Sequence, residues 1–377
     1  MTKVLINGLL LNQDYSGVQY SIEYFIEALG AQNSKNYHFT VLLSHNYSGS
    51  LKERTNLTLK RISFNTSGRM KRIFYENVFL PIYFRRGGFR FYHSPGYVLP
   101  LLKIPAIVTV HDIIPLDFPR FSKDETVIYY KLFLRSSLKA ASGIIAVSNC
   151  VKDDIMRKFP DILASKIHVV HHGIHSKFLR VSNIETLENV RERYHLPEKY
   201  MLFLGNIEPR KNLISIFRAF DVFKNRSSIP CKLVIAGKKG WKYSEVFDFL
   251  DKTSHKDDII FTGYVRDADI PALYSMSEVF LFPSWYEGFG MPALEAMACG
   301  CPVIISNRGA LPEITGKNCL IVDPSDISEL AESMTNILSN GQVRDMLIAN
   351  GLKWSGQFTW ALAATKTLNI YQSISRE

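Results

Sequence analysis

Cysteine is scarce in this 377-residue chain: the five residues Cys150, Cys231, Cys299, Cys301 and Cys319 form no CxxC pair and no Cys/His spacing suited to zinc. An odd, dispersed set argues against a disulfide scaffold and reads as buried thiols in a reducing compartment. Long apolar runs are missing as well. The opening MTKVLINGLLLNQ is broken at Asn7 and Gly8, and no later stretch approaches ~18 apolar residues, so neither a signal peptide nor a spanning helix is expected. What is present is globular: 46% hydrophobic and 21% charged residues, in a length that favours two domains, each able to bury a core.

Acidic residues are also in deficit. Lys and Arg number 45 against 35 Asp and Glu, a formal charge of +10, which suggests an anionic partner. The excess is confined to the first part: residues 1–173 carry 22 basic and 12 acidic side chains, whereas 174–377 carry 23 of each. No DNA- or RNA-binding motif accompanies the charge, so nucleic acid is not the expected partner.

Short apolar runs alternate with amphipathic stretches along the whole chain, the pattern of parallel α/β layers. Strands are expected at Val4–Asn7, Phe39–Ser44, Phe91–His93, Ala106–His111, Ile144–Val147 and Ile167–His171. The pattern stops in the mixed polar stretch from Ile174 to Lys199 and resumes with strands at Met201–Leu204, Leu233–Ala236, Ile259–Thr262, Val279–Phe282 and Val303–Ile305. This places a first domain at 1–174 and a second at 175–356, with a C-terminal helix at about 357–377 as a candidate to pack back on the first. Two such domains in tandem are expected to face each other across a cleft. In open parallel sheets ligands sit beyond the carboxyl ends of the strands, so chemistry is sought in the loops that follow them.

The densest such loop is PSWYEGFGMPALEAMACGCPVI, residues 283–304. A strand runs into two glycines, Gly288 and Gly290, and Pro292 then suits the first turn of a helix. The free N–H groups and positive dipole end of that turn suit a phosphate. Glu287 before the helix and Glu295 on its expected first turn can accept hydrogen bonds from sugar or ribose hydroxyls, although Glu295 could equally serve only the dipole. The string from Gly288 to Ala293 also fits the relaxed dinucleotide fingerprint G-x-G-x-x-A, with Glu313 20 residues beyond. It is a decoy, because Pro283 to Glu287 separate it from the strand. Upstream, GNIEPRKNL follows a strand and sets Arg210 and Lys211 at its carboxyl end, where two cations can neutralise a diphosphate or simply lie on a solvated helix start. His111 closes the strand AIVTVH, and such a lone His is more often structural than catalytic. His171 and His172, adjacent on an expected strand, point to opposite faces and are left as structural. Asp267 and Asp269 form a DxD that reads as a helix cap and first-turn acid rather than a metal site.

EGFGMPALE is an E-x7-E motif. With GNIEPRKNL, His111-Asp112, the Gly263-Tyr264-Val265 string, GCPVI and LPEI in this order, it resembles the retaining, nucleotide-sugar-dependent glycosyltransferases of family 4. The resemblance spans nearly the whole chain and departs from the commoner Gly-Gly turn after the first strand by having Ser16 before Gly17. It implies a GT-B fold of two Rossmann-like parallel α/β domains, the first binding the acceptor and the second the donor. It implies that Arg210 and Lys211 grip the leaving-group phosphates, that Glu287 meets the transferred sugar and Glu295 the ribose, and that His111 lies near the anomeric carbon. Gly17, Tyr264, Val265, Phe289, Gly290 and Met291 would complete the donor site, with no metal and no cofactor. The implied reaction moves a hexose from UDP-glucose or GDP-mannose to a glycan or lipid-linked saccharide in the cytoplasm. A nucleotide-sugar epimerase or hydrolase on a similar fold is the alternative.

Residues 52–90 hold ten Lys and Arg against Glu53 and Glu76, interleaved with Phe74, Tyr75, Phe79, Tyr83 and Phe84. The segment resembles an interfacial surface suited to peripheral attachment at the inner face of a membrane; the plain alternative is a solvated helix face over core aromatics.

Overall fold

The computed structural model describes residues 1–12, 17–32, 34–66, 68–100 and 104–376. Two compact units emerge, Met1–Gly173 with Thr359–Glu377, and Ile174–Phe358. Each is built on one parallel sheet.

In the first unit the strands are β1 (Thr2–Gly8), β2 (Tyr37–Leu43), β3 (Leu57–Arg61), β4 (Phe91–Ser94), β5 (Ala106–Val110), β6 (Gly143–Ala146) and β7 (Ile167–Val169). Their order across the sheet is β3-β2-β1-β4-β5-β6-β7. β1, β4, β5 and β6 are almost wholly buried, as runs such as VLING and AIVTV require of strands covered on both faces. Ser148 caps the helix Asn149–Lys158, its Oγ accepting from the Val151 N–H at 3.1 Å. The final helix, Trp360–Arg376, belongs to this unit and sends Tyr371 into its core, where the hydroxyl meets His93 Nδ1 at 2.6 Å. Gly173 permits the chain to pass this returning segment, since a Cβ there would fall 2.1 Å from the Trp360 nitrogen.

The second unit holds β8 (Tyr200–Leu204), β9 (Lys232–Ala236), β10 (Ile259–Gly263), β11 (Val279–Phe282), β12 (Val303–Ser306) and β13 (Leu320–Val322), in the order β10-β9-β8-β11-β12-β13. Phe203, Phe217, Phe220 and Phe223 fill its core. In both sheets the winding reverses once, between β1 and β4 and between β8 and β11, and those are the switch points at which open α/β sheets bind ligands.

Several elements differ from the sequence expectation. The stretch expected to be irregular after Ile174 contains the helix Ile184–Arg193, capped by Asn183 Oδ1, which accepts from the Thr186 N–H at 2.8 Å. β3 and β13 were not expected; both are sheet-edge strands, β3 ending in Lys60 and Arg61 and β13 only three residues long. β5 and β7 end at Val110 and Val169, so His111, His171 and His172 all lie beyond strand ends. Cys150 is only half-buried, while the other four thiols are buried.

Candidate active site

At the switch point of the second unit the loops after β8 and β11 meet. β8 runs into the turn Pro209–Lys211, and Asn212, in left-handed conformation at φ 59°, then opens the helix Leu213–Arg226. The buried Asn212 amide donates to the carbonyls of Pro283 (3.1 Å) and Pro324 (2.8 Å), and the Trp285 N–H donates to the Arg210 carbonyl at 2.9 Å. These bonds hold the two loops in register.

Across the seam three charges converge. Arg210 Nη1 lies 2.6 Å and Lys211 Nζ 2.8 Å from Glu287 Oε1. Arg210 also donates to Glu208 Oε1 at 2.6 Å and to the Tyr286 carbonyl at 2.9 Å, while the Lys211 ammonium stands 4.6 Å from the centre of the Phe282 ring. Lys211 and Glu287 are both buried. Burial alone would raise the Glu287 carboxyl, but Arg210 and Lys211 outweigh it and hold the pKa at about 2. Lys211 is shifted down chiefly by burial, with Glu287 opposing. Gly309 seats the backbone of Glu287: at φ 59°, a Cβ there would fall 2.5 Å from the Glu287 carbonyl oxygen, which accepts from the Ala310 N–H at 2.9 Å.

The helix Met291–Ala298 begins at Gly290, which is in left-handed conformation at φ 98°. A Cβ on Gly290 would meet Leu311 at 2.4 Å. Phe289 is buried, its ring 6.3 Å from that of Phe358. Glu295 stands in the second turn, not the expected first turn, so it is not positioned to serve the dipole end. Burial pushes its pKa up to about 7, with Lys177 opposing and Asp267 adding to the rise. After β10, Tyr264 is exposed with the Lys238 ammonium 4.5 Å from its ring centre, whereas Val265 is buried. The Asp269 carboxylate, expected to cap the helix Ile270–Met276, makes no cap bond and is instead held by Arg193, Arg266 and the Tyr194 hydroxyl. Asp267 pairs with Lys177 at 2.8 Å. Both carboxylates of the DxD are thus ion-paired.

In the first unit His111 is buried beyond β5, its Nε2 donating to the Pro95 carbonyl at 2.7 Å and its Nδ1 3.2 Å from His172 Nε2. Because a carbonyl can only accept, His111 carries its proton on Nε2 and accepts from His172 at Nδ1. Burial pushes the His111 pKa down to about 4, with the Pro95 bond opposing. His172 therefore partners His111, which no local spacing announced. A small pocket beside them is lined by Ser21, Thr109, Trp360 and Thr367 among others. Gly17 begins the helix Gly17–Ala31; Ser16 lies outside the described residues.

Residues 188–354 match the family described as Glycosyl transferases group 1, and residues 15–178 match Glycosyltransferase Family 4. Over 282 residues the chain is 33% identical to the O-antigen chain mannosyltransferase B of Escherichia coli, with 74% of each chain covered. The chain belongs to the family 4 glycosyltransferases. This glycosyltransferase is also 28% identical over 280 residues to the serotype-specific mannosyltransferase WbdA of Escherichia coli, covering 72% of its own length but 34% of that longer protein. Among solved structures it resembles a sucrose-phosphate synthase from Thermosynechococcus elongatus, with a TM-score of 0.79 at 20% identity and 100% of each chain covered. The fold of this family 4 glycosyltransferase is GT-B.

Proposed function

We propose that this glycosyltransferase moves mannose from GDP-mannose to a lipid-linked saccharide in the assembly of an O-antigen-like polysaccharide, with retention of configuration and without a metal. The observation that carries the donor assignment is the convergence of Arg210, Lys211 and Glu287 at the switch point, next to a helix N-terminus. Mannose is chosen over glucose because the relatives named above are mannosyltransferases.

In this reading Arg210, Lys211 and the positive dipole end of the helix Met291–Ala298 stabilise the charge that develops on the departing diphosphate, an electrostatic contribution of the oxyanion-hole kind. Glu287, kept ionised by both cations, accepts from the hydroxyls of the sugar. Glu295 takes the ribose, and the segment Gly263–Val265 lines the base through backbone groups. In the first unit the neutral imidazole of His111 is bonded through both nitrogens, to Pro95 and His172, and would have to release one of these bonds to act on a sugar as a hydrogen-bonding group rather than as a cation. The basic first unit, with Gly17 at its first helix, takes the acceptor at the inner face of a membrane.

A thermal-shift panel of GDP, UDP and ADP, followed by transfer of labelled mannose, tests the reading. GDP is expected to stabilise most, since a ligand bound only to the folded state raises stability with its concentration. Arg210→Ala, Lys211→Ala and Glu287→Ala should each lower turnover by orders of magnitude. Near-native transfer by all three, or no shift with any nucleotide, would overturn the assignment.

A further inference from the structure

The helix Arg69–Gly87 in the first unit shows an unusual solvent face. Its exposed residues are Met70, Lys71, Phe74, Val78, Phe79, Ile82, Arg85 and Arg86: five apolar, three cationic, with neither an acid nor a neutral polar side chain among them. The apolar members are substantially exposed, at 77% for Met70, 51% for Phe74, 42% for Val78 and Phe79 and 49% for Ile82. Met70, Phe74, Val78 and Ile82 follow one another at intervals of four, a continuous stripe along one side of a helix. The core-facing side is formed by Tyr75, Leu80, Pro81 and Phe84. The one acid of the helix, Glu76, is turned inward, where its carboxylate accepts from Asn7 at 2.7 Å and pairs with Arg72 at 3.7 Å. Phe64 in the preceding loop packs on Phe74 and Phe79, with ring centres 6.1 and 5.8 Å apart, and so braces the stripe from beside it.

An ordinary surface helix puts its apolar stripe on the core and polar residues outside. Here a second apolar stripe faces out, fringed only by cations, in a segment carrying ten basic residues between 52 and 90. We infer that this face docks on an anionic lipid bilayer, with the stripe entering the headgroup and acyl boundary while Lys71, Arg85 and Arg86 meet lipid phosphates. The charge decides between occupants: a second copy of the same face would oppose cations to cations, whereas an anionic bilayer neutralises them. The inference deepens the reading of a lipid-linked acceptor, because it holds the acceptor unit at the surface where such a substrate resides.

The test is sedimentation of the full chain with vesicles of phosphatidylcholine alone and of phosphatidylcholine mixed with phosphatidylglycerol, at low and high salt. The native chain should bind the anionic vesicles. A Lys71→Gln, Arg85→Gln, Arg86→Gln variant should lose about fivefold in partitioning per cation removed, roughly a hundredfold in all. Phe74→Ser with Ile82→Ser should lose at least about tenfold, including the part of binding that high salt leaves intact. A GDP-induced thermal shift equal to that of the native chain shows that the variants are folded; it also reads the donor assignment, which can fail while lipid binding stands. Absence of anionic preference in the native chain, or undiminished binding by both variants, would overturn the inference. So would a dimer in solution that Phe74→Ser dissolves and that does not bind lipid.

Discussion

Acid should weaken the first unit through its buried histidines, and the size of the effect follows from their surroundings. His93 has its Nδ1 on the Tyr371 hydroxyl at 2.6 Å and its Nε2 on Thr109 at 2.9 Å, and burial, with the neighbouring His111, pushes its pKa down to about 3. His111 is held at about 4, and His172 is lowered well below the usual value, again chiefly by burial. A histidine in the unfolded chain titrates near ~6.5. Above that pH neither state binds the proton and the stability is fully present; as pH falls from there towards the folded values, only the unfolded state takes the proton, and stability is lost. At about pH 5 the unfolded chain gains roughly 2 kcal/mol per histidine relative to about pH 7.5, so His93 and His111 together remove about 4 kcal/mol, with His172 acting in the same direction. Against a typical domain stability of about 5–15 kcal/mol this is a large share. Glu76, raised mainly by burial, opposes the trend, so the decisive quantity is the difference between variant and native chain. Hydrogen exchange of the β4 and β5 amides, corrected for intrinsic rates at the two pH values, reports the opening free energy of this unit. His93→Gln and His111→Gln should each reduce the acid-induced loss by about 2 kcal/mol, whatever they do to stability at neutral pH. The same acid-induced loss in both variants and the native chain would refute the reasoning.

Glu287→Ala leaves Lys211 buried without its carboxylate, a loss of about 3–5 kcal/mol by the usual cost of a broken buried pair. Differential scanning calorimetry should show a fall of about 10 °C for a unit of this size, and GDP should restore more stability to the variant than to the native chain. A variant melting within error of the native chain would show that the pair is not stabilising. With Glu295 at about pH 7, and ribose hydroxyls donating to its ionised form, GDP affinity should weaken up to tenfold per pH unit below ~7, and Glu295→Gln should flatten that profile in calorimetric titration. Gly309→Ala should destabilise the second unit by more than the ~1–2 kcal/mol of a left-handed alanine, because its Cβ also meets the Glu287 backbone, and transfer activity should fall with it. A Gly309→Ala enzyme of native stability and turnover would mean that the loop around Glu287 yields freely.

The parallel α/β architecture was legible because buried strands such as AIVTV and VFLF are continuous apolar runs bounded by polar loops, and local pattern is sufficient to mark them. The edge strands β3 and β13 were not: β3 ends in Lys60 and Arg61, as an edge permits, and β13 is an apolar run of only three residues. The helix Ile184–Arg193 was hidden for a similar reason: Val190 is its one buried residue, so it shows little apolar period.

The site divides along the same line. Residue types and their order along the chain named Arg210, Lys211, Glu287 and Glu295, since a phosphate needs cations and hydroxyls need carboxylates. Only the order of strands decided that the cations, 77 and 76 residues from Glu287, would meet it, because β8 and β11 become neighbours at the point where the winding reverses. Pairing of His111 with His172, 61 residues apart, likewise depends on the sheet, which leaves only β6 between β5 and β7. The amino-acid sequence by itself determined which strands would be buried and which charges were available. The tertiary structure decided which charges would meet and which face of the Arg69–Gly87 helix would be left to solvent, since both depend on neighbours distant along the chain.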